Sequence, residues 1–159
     1  MSRGRTPRLQ IVAVGKLRPP LADAGRLFER RVDERAGLRV DEVSAEPLGH
    51  GDDQVLRREG ERIRARTLAG AWRVALAPAA RPPESSETFA AWLGRRMEQP
   101  RPTAFLLGGA LGLPPALIDE AEERISLGPL TMPHQLARVV LAEQLYRALC
   151  LLSGHPYPH

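Results

Sequence analysis

The sequence predicts an α/β domain built on a mostly parallel sheet flanked by helices. Short apolar runs typical of strands alternate with helix-like segments along the whole chain, and glycine or proline residues separate them. The 159 residues contain no internal repeat, long linker or low-complexity segment. That length is sufficient for one hydrophobic core. We therefore expect a single domain over residues 1–159, with residues 1–8 as a flexible basic tail.

The first three predicted elements are a strand, a helix and a second strand. The apolar run Leu9 to Val14 ends at Gly15 and suits a strand that is covered on both faces. A helix is expected over Leu21 to Ala36, because apolar residues recur on one face of that segment and Gly37 is a natural stop. Leu38 to Ser44 then reads as the second strand.

The middle of the chain continues the alternation. Gln54 to Leu68 has the pattern of a charged helix, and Trp72 to Ala77 that of a third strand. A further helix carries Phe89 and Trp92 and ends before Pro100, because a residue that precedes proline disfavours helical geometry. The expected caps of the two helices are Asp52 or Asp53 and Ser85 or Ser86.

The last part of the chain is expected to form the remaining elements. Thr103 to Leu107 is a strand that runs directly into two glycines. Pro114 and Pro115 open a short helix that continues through Glu123, and Ile125 to Leu127 forms a short strand. The final helix, about Leu136 to Leu152, is apolar enough to be mostly buried, with Leu141, Leu145, Ala148, Leu149 and Leu152 on one face.

Charge and composition limit the possible partners and locations. The net charge is +4 and nearly all basic residues are Arg, with Lys16 as the only lysine. Arg suits phosphate recognition, although a GC-rich genome produces the same bias. The chain contains no run of eighteen apolar residues, so we expect no membrane helix and a cytoplasmic location. The single cysteine, Cys150, is expected to be a buried core residue.

Three loops follow predicted strands, after Leu76, Leu107 and Leu127. Ligands of open α/β sheets bind at the carboxyl ends of strands. The glycines of Gly108 to Gly112 would let the backbone approach a ligand, although the segment has neither dinucleotide nor P-loop spacing and could be only a tight turn. Ser126 to Leu136 mixes Gly and Pro with apolar residues, which fits an adenine ring or, alternatively, a packed connection.

Isolated polar residues near these loops have ordinary explanations. His134 is more often structural than catalytic, since no Ser or Cys partner for nucleophilic chemistry is evident. Glu143 and Arg147 are four residues apart on one helix and are expected to form an ion pair. No group of His, Cys or Asp has metal-ligand spacing, so no metal is expected.

Several strings of residues match, in the same order, those of one enzyme family. They are Val12 to Lys16, Glu59 to Glu61, Ser85 to Ala90, Gly108 to Leu113, Leu130 to His134, Arg138 to Ala148 and His155 to Tyr157. On these residues the chain resembles the ribosomal RNA large subunit methyltransferase H family of the SPOUT superfamily. The resemblance covers essentially the whole chain after Arg8. The chain departs from the family pattern in the loop Ala77 to Pro83, which lacks a glycine, and in the tail Tyr157 to His159.

The resemblance implies S-adenosylmethionine as methyl donor and N3 of a pseudouridine in 23S ribosomal RNA, at the position called 1915, as acceptor. It also implies a homodimer, a substrate within the large subunit or the assembled ribosome, and a C-terminal trefoil knot made when the last helix threads through a loop. Two alternatives stay open: a SPOUT methyltransferase with another RNA target, and a non-catalytic relative that binds RNA or ribosomes.

The resemblance also implies the site residues. By family position the donor lies against Leu76, Gly108, Gly109, Leu127, Gly128, Pro129, Leu130, Thr131 and Met132. His134, Arg138, Glu143 and Tyr146 also match the family and are expected to shape the donor loop and the dimer. N3 of a pseudouridine must lose its imide proton, which a positioned base or a nearby cation would assist. We expect Tyr157 and His159, with His155 as a further candidate, to contact the target base.

Overall fold

The structure, a computed structural model, describes residues 6–157. Strands and helices alternate along this part of the chain, as the sequence predicts. In order they are β1 (Leu9–Val14), α1 (Leu21–Ala36), β2 (Leu38–Val43), α2 (Asp52–Arg66), β3 (Trp72–Leu76), α3 (Ser86–Glu98), β4 (Thr103–Leu107), α4 (Pro115–Glu120), β5 (Glu123–Ile125) and α5 (His134–Ser153). Arg8, assigned to the flexible tail, is held at the sheet, because its N–H donates to the carbonyl of Gly37 and its carbonyl accepts from Thr103 N–H.

The five strands form one sheet in the order β2-β1-β4-β3-β5, and every strand pairing is parallel. The predicted fold class is therefore confirmed. Because the strands are parallel, their carboxyl ends lie along one edge of the sheet. The loops that follow β1, β3, β4 and β5 leave from that edge, which is where ligands of such sheets bind.

Helices cover both faces of the sheet. In β1, Leu9 and Ile11 pack with α1, α3 and α5, whereas Val12 and Val14 pack with α2 and α4. Successive side chains of a strand point to opposite faces, so both faces of β1 are buried, as its apolar run predicted. The one polar member of that run is Gln10, which is fully buried. Its amide donates to Asp41 and to the carbonyl of Arg66, and accepts from the N–H of Leu68.

Two predicted details of the helix ends are wrong. Neither Asp52 nor Asp53 caps α2, because Gly51 takes the cap position with φ +88°. Both carboxylates lie in the first turn of the helix, where the positive end of the helix dipole stabilises their negative charge. The helix α4 ends at Glu120 instead of Glu123, because Glu123 already pairs with Val74 in the sheet. By contrast, Ser85 caps α3, accepting a hydrogen bond of 3.0 Å from Thr88 N–H.

The residues of the final helix that were predicted to be buried are buried, with one exception. Leu141, Leu145, Ala148 and Leu149 are buried, and so is Cys150. Leu152 is 47% exposed, although it lies beside α3, where a Cβ on Gly94 would come 3.0 Å from the leucine side chain.

A buried arginine ties α5 to α1 and β2. Arg138 is 5% exposed and donates to the carboxylates of Glu29 (2.7 Å) and Glu42 (2.5 Å). Burial alone would lower the pKa of Arg138, but these two carboxylates raise it above its usual range. The guanidinium therefore stays charged in the core.

Replacement of this arginine is expected to destabilise the fold. Arg138→Met leaves two carboxylates without their cation, and breaking a buried pair in this way should cost about 2–4 kcal/mol, since both acids keep some contact with water. Urea unfolding measures the effect. The control is Arg57→Met, which removes an exposed pair with Glu61 and should change the unfolding midpoint little. Equal losses in the two variants would contradict this account.

The stability of the fold at acidic pH should depend on Glu122. This residue directly precedes β5, the edge strand on the side of the sheet opposite β2. Burial alone would raise the pKa of this carboxyl, but the N–H of Arg73 (2.8 Å) and the guanidinium of Arg101 (2.9 Å) lower it to about 2. Its ordinary value is 4.5. The ionised carboxylate therefore stabilises the fold fully above pH 4.5, and this contribution is lost as the pH falls toward about 2.

We therefore expect wild type to be more stable than Glu122→Gln at neutral pH, with the difference shrinking as the pH falls through that window. Urea unfolding at several pH values tests this. Glu84→Gln is the control, because Glu84 is an exposed partner of Arg81. A difference between wild type and Glu122→Gln that does not change with pH would exclude this role for the carboxylate.

Candidate active site

A large cavity opens at the edge of the sheet where the carboxyl ends of the strands lie. Its volume is about 700 Å³, within the usual range for a small-molecule site. Its walls are the loops that follow β3, β4 and β5, and the first turn of α5 adds His134 and Ala137. The lining is mainly apolar, with backbone groups of glycine-containing loops between the side chains. The fold thus places the two loops that the sequence singled out around one cavity.

The loop after β4 is a turn that only glycine permits. A Cβ on Gly108 would lie 2.1 Å from the carbonyl carbon of Gly112 and 2.4 Å from the nitrogen of Leu113. The turn is closed by a hydrogen bond of 3.0 Å from Gly112 N–H to the carbonyl of Gly109. Gly112 itself has φ +77°. The backbone therefore folds back on itself against the cavity, without a side chain from Gly108 or Gly109 between it and a ligand.

The loop after β5 is more open. Gly128 has φ +128°, and no atom lies within 4 Å of the position that a Cβ would take. The hydroxyl of Ser126, a buried residue, accepts a long hydrogen bond of 3.4 Å from Gly128 N–H. Leu130 is 81% exposed although it lines the cavity. Such an apolar rim beside exposed backbone suits a flat aromatic ligand whose edge needs hydrogen bonds.

The structure brings most of the expected donor-binding residues together. The lining includes Leu76, Gly108, Gly109, Leu127, Gly128, Leu130, Thr131 and Met132. Pro129 belongs to the same loop but is not among the lining residues. In the loop after β3, which departs from the family pattern, Ala77 and Pro78 line the cavity, and a turn closes from Ala80 N–H to the carbonyl of Ala77.

The tail residues lie elsewhere in the same chain. His155 and Tyr157 line a separate cavity of about 430 Å³, between α5 and the start of α3. The helix α5 has 20 residues, so it is about 30 Å long, and its first residue, His134, lies at the glycine cavity whereas the tail follows its last turn. One chain therefore does not place its tail at its own glycine cavity. His159 lies outside the described residues.

Tyr157 is held against the middle of α5. Its hydroxyl donates to Glu143 over 3.1 Å, and its ring stands edge-on to that of Tyr146 at 4.9 Å between centroids. Glu143 also pairs with Arg147 at 2.7 Å, the ion pair predicted from their spacing, and Arg147 lies over the Tyr157 ring. Burial and the neighbouring Glu143 raise the pKa of Tyr157 above its usual range, so the phenol is a hydrogen-bond donor at neutral pH and not a base.

Sequence reasoning missed two buried acids behind the glycine turn. Glu46 is 6% exposed and receives hydrogen bonds from Arg58 (2.7 Å) and Arg62 (2.5 Å), which hold its pKa below the usual range. Glu59, on α2, is 3% exposed, and a Cβ on Gly109 of the turn would lie 3.1 Å from its carboxylate. Both look like ordinary surface charges in the sequence, because Glu59 belongs to a helix rich in acids and arginines and Glu46 belongs to the polar loop after β2. Only the family-like string Glu59 to Glu61 drew attention to this part of the helix.

Residues 6–157 contain neither a metal-binding cluster nor a membrane-spanning helix. No three or more His, Cys, Asp or Glu side chains cluster there in a way that could hold a metal ion. In the same residues, no helix is both long and apolar enough to cross a membrane.

Known proteins share this fold. A probable methyltransferase from Bordetella pertussis superposes with a TM-score of 0.53 at 19% identity, covering 90% of this chain and 95% of the other. A probable methylase family protein from Haemophilus influenzae gives 0.50 at 13% identity, covering 96% and 72%. At these identities the likeness concerns the fold alone.

Sequence comparison is more specific. Residues 8–159 match the family described as Predicted SPOUT methyltransferase, which defines the class of the protein. The ribosomal RNA large subunit methyltransferase H of Acidiphilium cryptum is 44% identical over 152 residues, covering 94% of this chain and 92% of the relative. That of Gemmatimonas aurantiaca is 43% identical, covering 94% and 98%. The chain belongs to the ribosomal RNA large subunit methyltransferase H family of SPOUT methyltransferases, and the resemblance seen in its sequence is confirmed.

Proposed function

We propose that this protein transfers a methyl group from S-adenosylmethionine to N3 of a pseudouridine in 23S ribosomal RNA, at the position called 1915. The observation that carries the proposal is the glycine-walled, apolar cavity at the carboxyl edge of the sheet in a member of this family. The substrate is the large subunit or the assembled ribosome in the cytoplasm, as the names of the relatives and the excess of arginine favour.

The residues present fit the donor. Gly108 and Gly109 leave room for close approach to the backbone, and the leucines of the β3 and β5 loops would cover the faces of an adenine ring. The segment Leu127 to Met132, with Pro129, would close over it. When bound, S-adenosylmethionine supplies a methyl group already activated by its sulfonium. The protein has therefore mainly to hold the two reactants close and aligned, an effect worth several kcal/mol.

The tail would serve the acceptor base. Tyr157 is a protonated donor, so we assign it to orienting the uracil ring through a carbonyl oxygen and not to removing the N3 proton. His155 and His159 are the candidates for assisting loss of that proton, as base or as cation. In this assignment the glycine cavity binds the donor, and the tail orients the target nucleobase.

Such a division requires a homodimer, because the glycine cavity lies at the first turn of α5, whereas the tail of the same chain packs against the middle and the last turns of that helix. The exposed Leu151 (36%) and Leu152 (47%) beside the tail provide apolar surface for a second copy. We propose that the tail of one copy serves the cavity of the other. We further infer that α5 threads through a loop to form a trefoil knot, which stays a prediction.

The test of the function is a methylation assay. Ribosomes from cells that lack the modification are incubated with the protein and S-adenosylmethionine, and fragments of 23S RNA are analysed by mass spectrometry. We expect one added methyl group at N3 of the pseudouridine. Donor binding without this product would favour another RNA target. No donor binding in calorimetry would favour a non-catalytic RNA-binding protein. Either result would overturn the proposal.

A further inference from the structure

The helix α2 fits closely beneath the glycine turn through two consecutive residues. A Cβ on Gly109 would lie 3.1 Å and 3.4 Å from the two carboxylate oxygens of Glu59. A Cβ on Gly60, the next residue, would lie 2.7 Å from Cγ of Pro114 at the far end of the same loop. The pair Glu59 and Gly60 therefore supports the beginning and the end of the segment from Gly108 to Pro114.

The Glu59 carboxylate also holds a second loop. Its Oε1 accepts a hydrogen bond of 3.1 Å from the backbone N–H of Glu46, which follows β2. The side chain of Glu46 is fixed in turn by Arg58 and Arg62 of α2. The exposed segment that comes next includes Leu48, which is 63% exposed. Glu59 thus lies between the glycine turn and a loop at the same edge of the sheet.

The other oxygen of Glu59 is unusual. Oε2 is buried and has no hydrogen-bond partner among the described residues, and no basic side chain of the described chain forms an ion pair with this carboxylate. An unsatisfied buried carboxylate oxygen is unfavourable for stability, and a leucine or methionine would fill the same space without that cost. Departures of this kind are concentrated at functional sites. The retention of an acid here points to a role in the site above it.

We propose that Glu59 is a positioning residue for methyl transfer, fixing Gly109 in the donor-binding turn and the backbone at Glu46 beside it. The carboxylate acts by its shape and by the hydrogen bond that it accepts, and it does not touch the reacting atoms. This inference rests on the proposed function, because it concerns the same cavity. It predicts that loss of the side chain loosens donor binding even when the protein remains folded.

The experiment compares Glu59→Ala and Glu59→Gln with wild type, using S-adenosylmethionine titrated by calorimetry well below each unfolding midpoint. We expect Glu59→Ala to raise Kd about tenfold, since it frees both loops. Glu59→Gln keeps the shape and the acceptor oxygen, so it should restore Kd to within about threefold of wild type. The matched control is Glu61→Ala on the same helix, where the acid is exposed and pairs with the exposed Arg57, and the Kd of this variant should not change.

The outcomes separate this inference from the proposed function. If wild type fails to bind S-adenosylmethionine, the function itself is wrong. If wild type binds and Glu59→Ala has a lower unfolding midpoint with the same Kd, the residue is only structural and the inference is overturned. A Glu59→Gln variant as weak as Glu59→Ala would equally overturn positioning by shape, because charge would then be what the site requires. Should Glu59→Ala not fold, a folded Glu59→Gln variant with weakened donor binding would still overturn the inference.

Discussion

Gly108→Ala is expected to abolish detectable binding of S-adenosylmethionine and, with it, methylation. The added methyl group would lie 2.1 Å from the carbonyl carbon of Gly112 and 2.3 Å from its oxygen, and neither is the end of a flexible side chain. The turn from Gly108 to Gly112 must therefore open. Misplacing a ligand-holding segment by about 1 Å can cost about 100-fold. Calorimetry with S-adenosylmethionine measures the loss, which we expect to be at least of this order.

The control is the same change at another glycine. A Cβ on Gly49 would have no neighbour within 4 Å, and Gly49 has no positive φ, so Gly49→Ala should bind the donor as wild type does. Overpacking at Gly108 should also lower stability by about 1–3 kcal/mol, so circular dichroism must show that the variant is folded. If it is not, Gly128→Ala takes its place, because its φ of +128° strains only the exposed β5 loop. Wild-type affinity in both variants would exclude this cavity as the donor site.

Removal of the tail is expected to have the second large effect. A chain that ends at Gly154 loses His155 and Tyr157 together with His159, and we expect methylation to fall at least about 100-fold while Kd for the donor stays within a few-fold. The reason is that the glycine cavity lies at the first turn of α5, whereas the tail follows the last turn of that helix and folds back only to its middle. The fold should persist, because the tail adds to α5 one capping hydrogen bond, from His155 N–H to Cys150, and the contacts of Tyr157.

Two smaller changes separate the contributions of the individual tail residues to methylation. A chain that ends at Tyr157 tests His159, and Tyr157→Phe tests the phenol while the ring stays on Tyr146. Mixing the chain that ends at Gly154 with Gly108→Ala then tests the shared site, because a mixed dimer would contain one intact cavity facing one intact tail. Recovery of methylation in the mixture is the expected result. Unchanged methylation by the chain ending at Gly154 would refute any role of the tail.

Most of the fold could be predicted from the order of apolar and helical segments. The run Leu9 to Val14 and the amphipathic pattern Leu21 to Ala36 match β1 and α1 residue for residue. Such patterns are local, because they record which face of an element is buried. The error at the end of α4 concerns a position where a distant contact decides. Glu123 belongs to a strand because it pairs with Val74, and its neighbouring sequence does not show this.

The candidate site could likewise be predicted from the sequence only in part. The glycines and apolar residues of the β4 and β5 loops are visible in the sequence, because the backbone requirements of a tight turn restrict which residues can occupy it. The proposed donor and acceptor come from the resemblance to known methyltransferases, since no hydrophobic periodicity could indicate them. The separation of the tail from the glycine cavity is different, since it depends on the course of α5 through the fold.

The sequence by itself determined the class of fold, the family and the loops proposed to hold the donor, because each of these depends on short contiguous strings of residues. Only the tertiary structure decided which charges are buried. Glu46, Glu59 and Arg138 look like ordinary surface residues in the sequence, yet all three are at most 6% exposed. Burial depends on what other elements place above a side chain, and for a charged residue the partners that compensate for lost water come from distant parts of the chain.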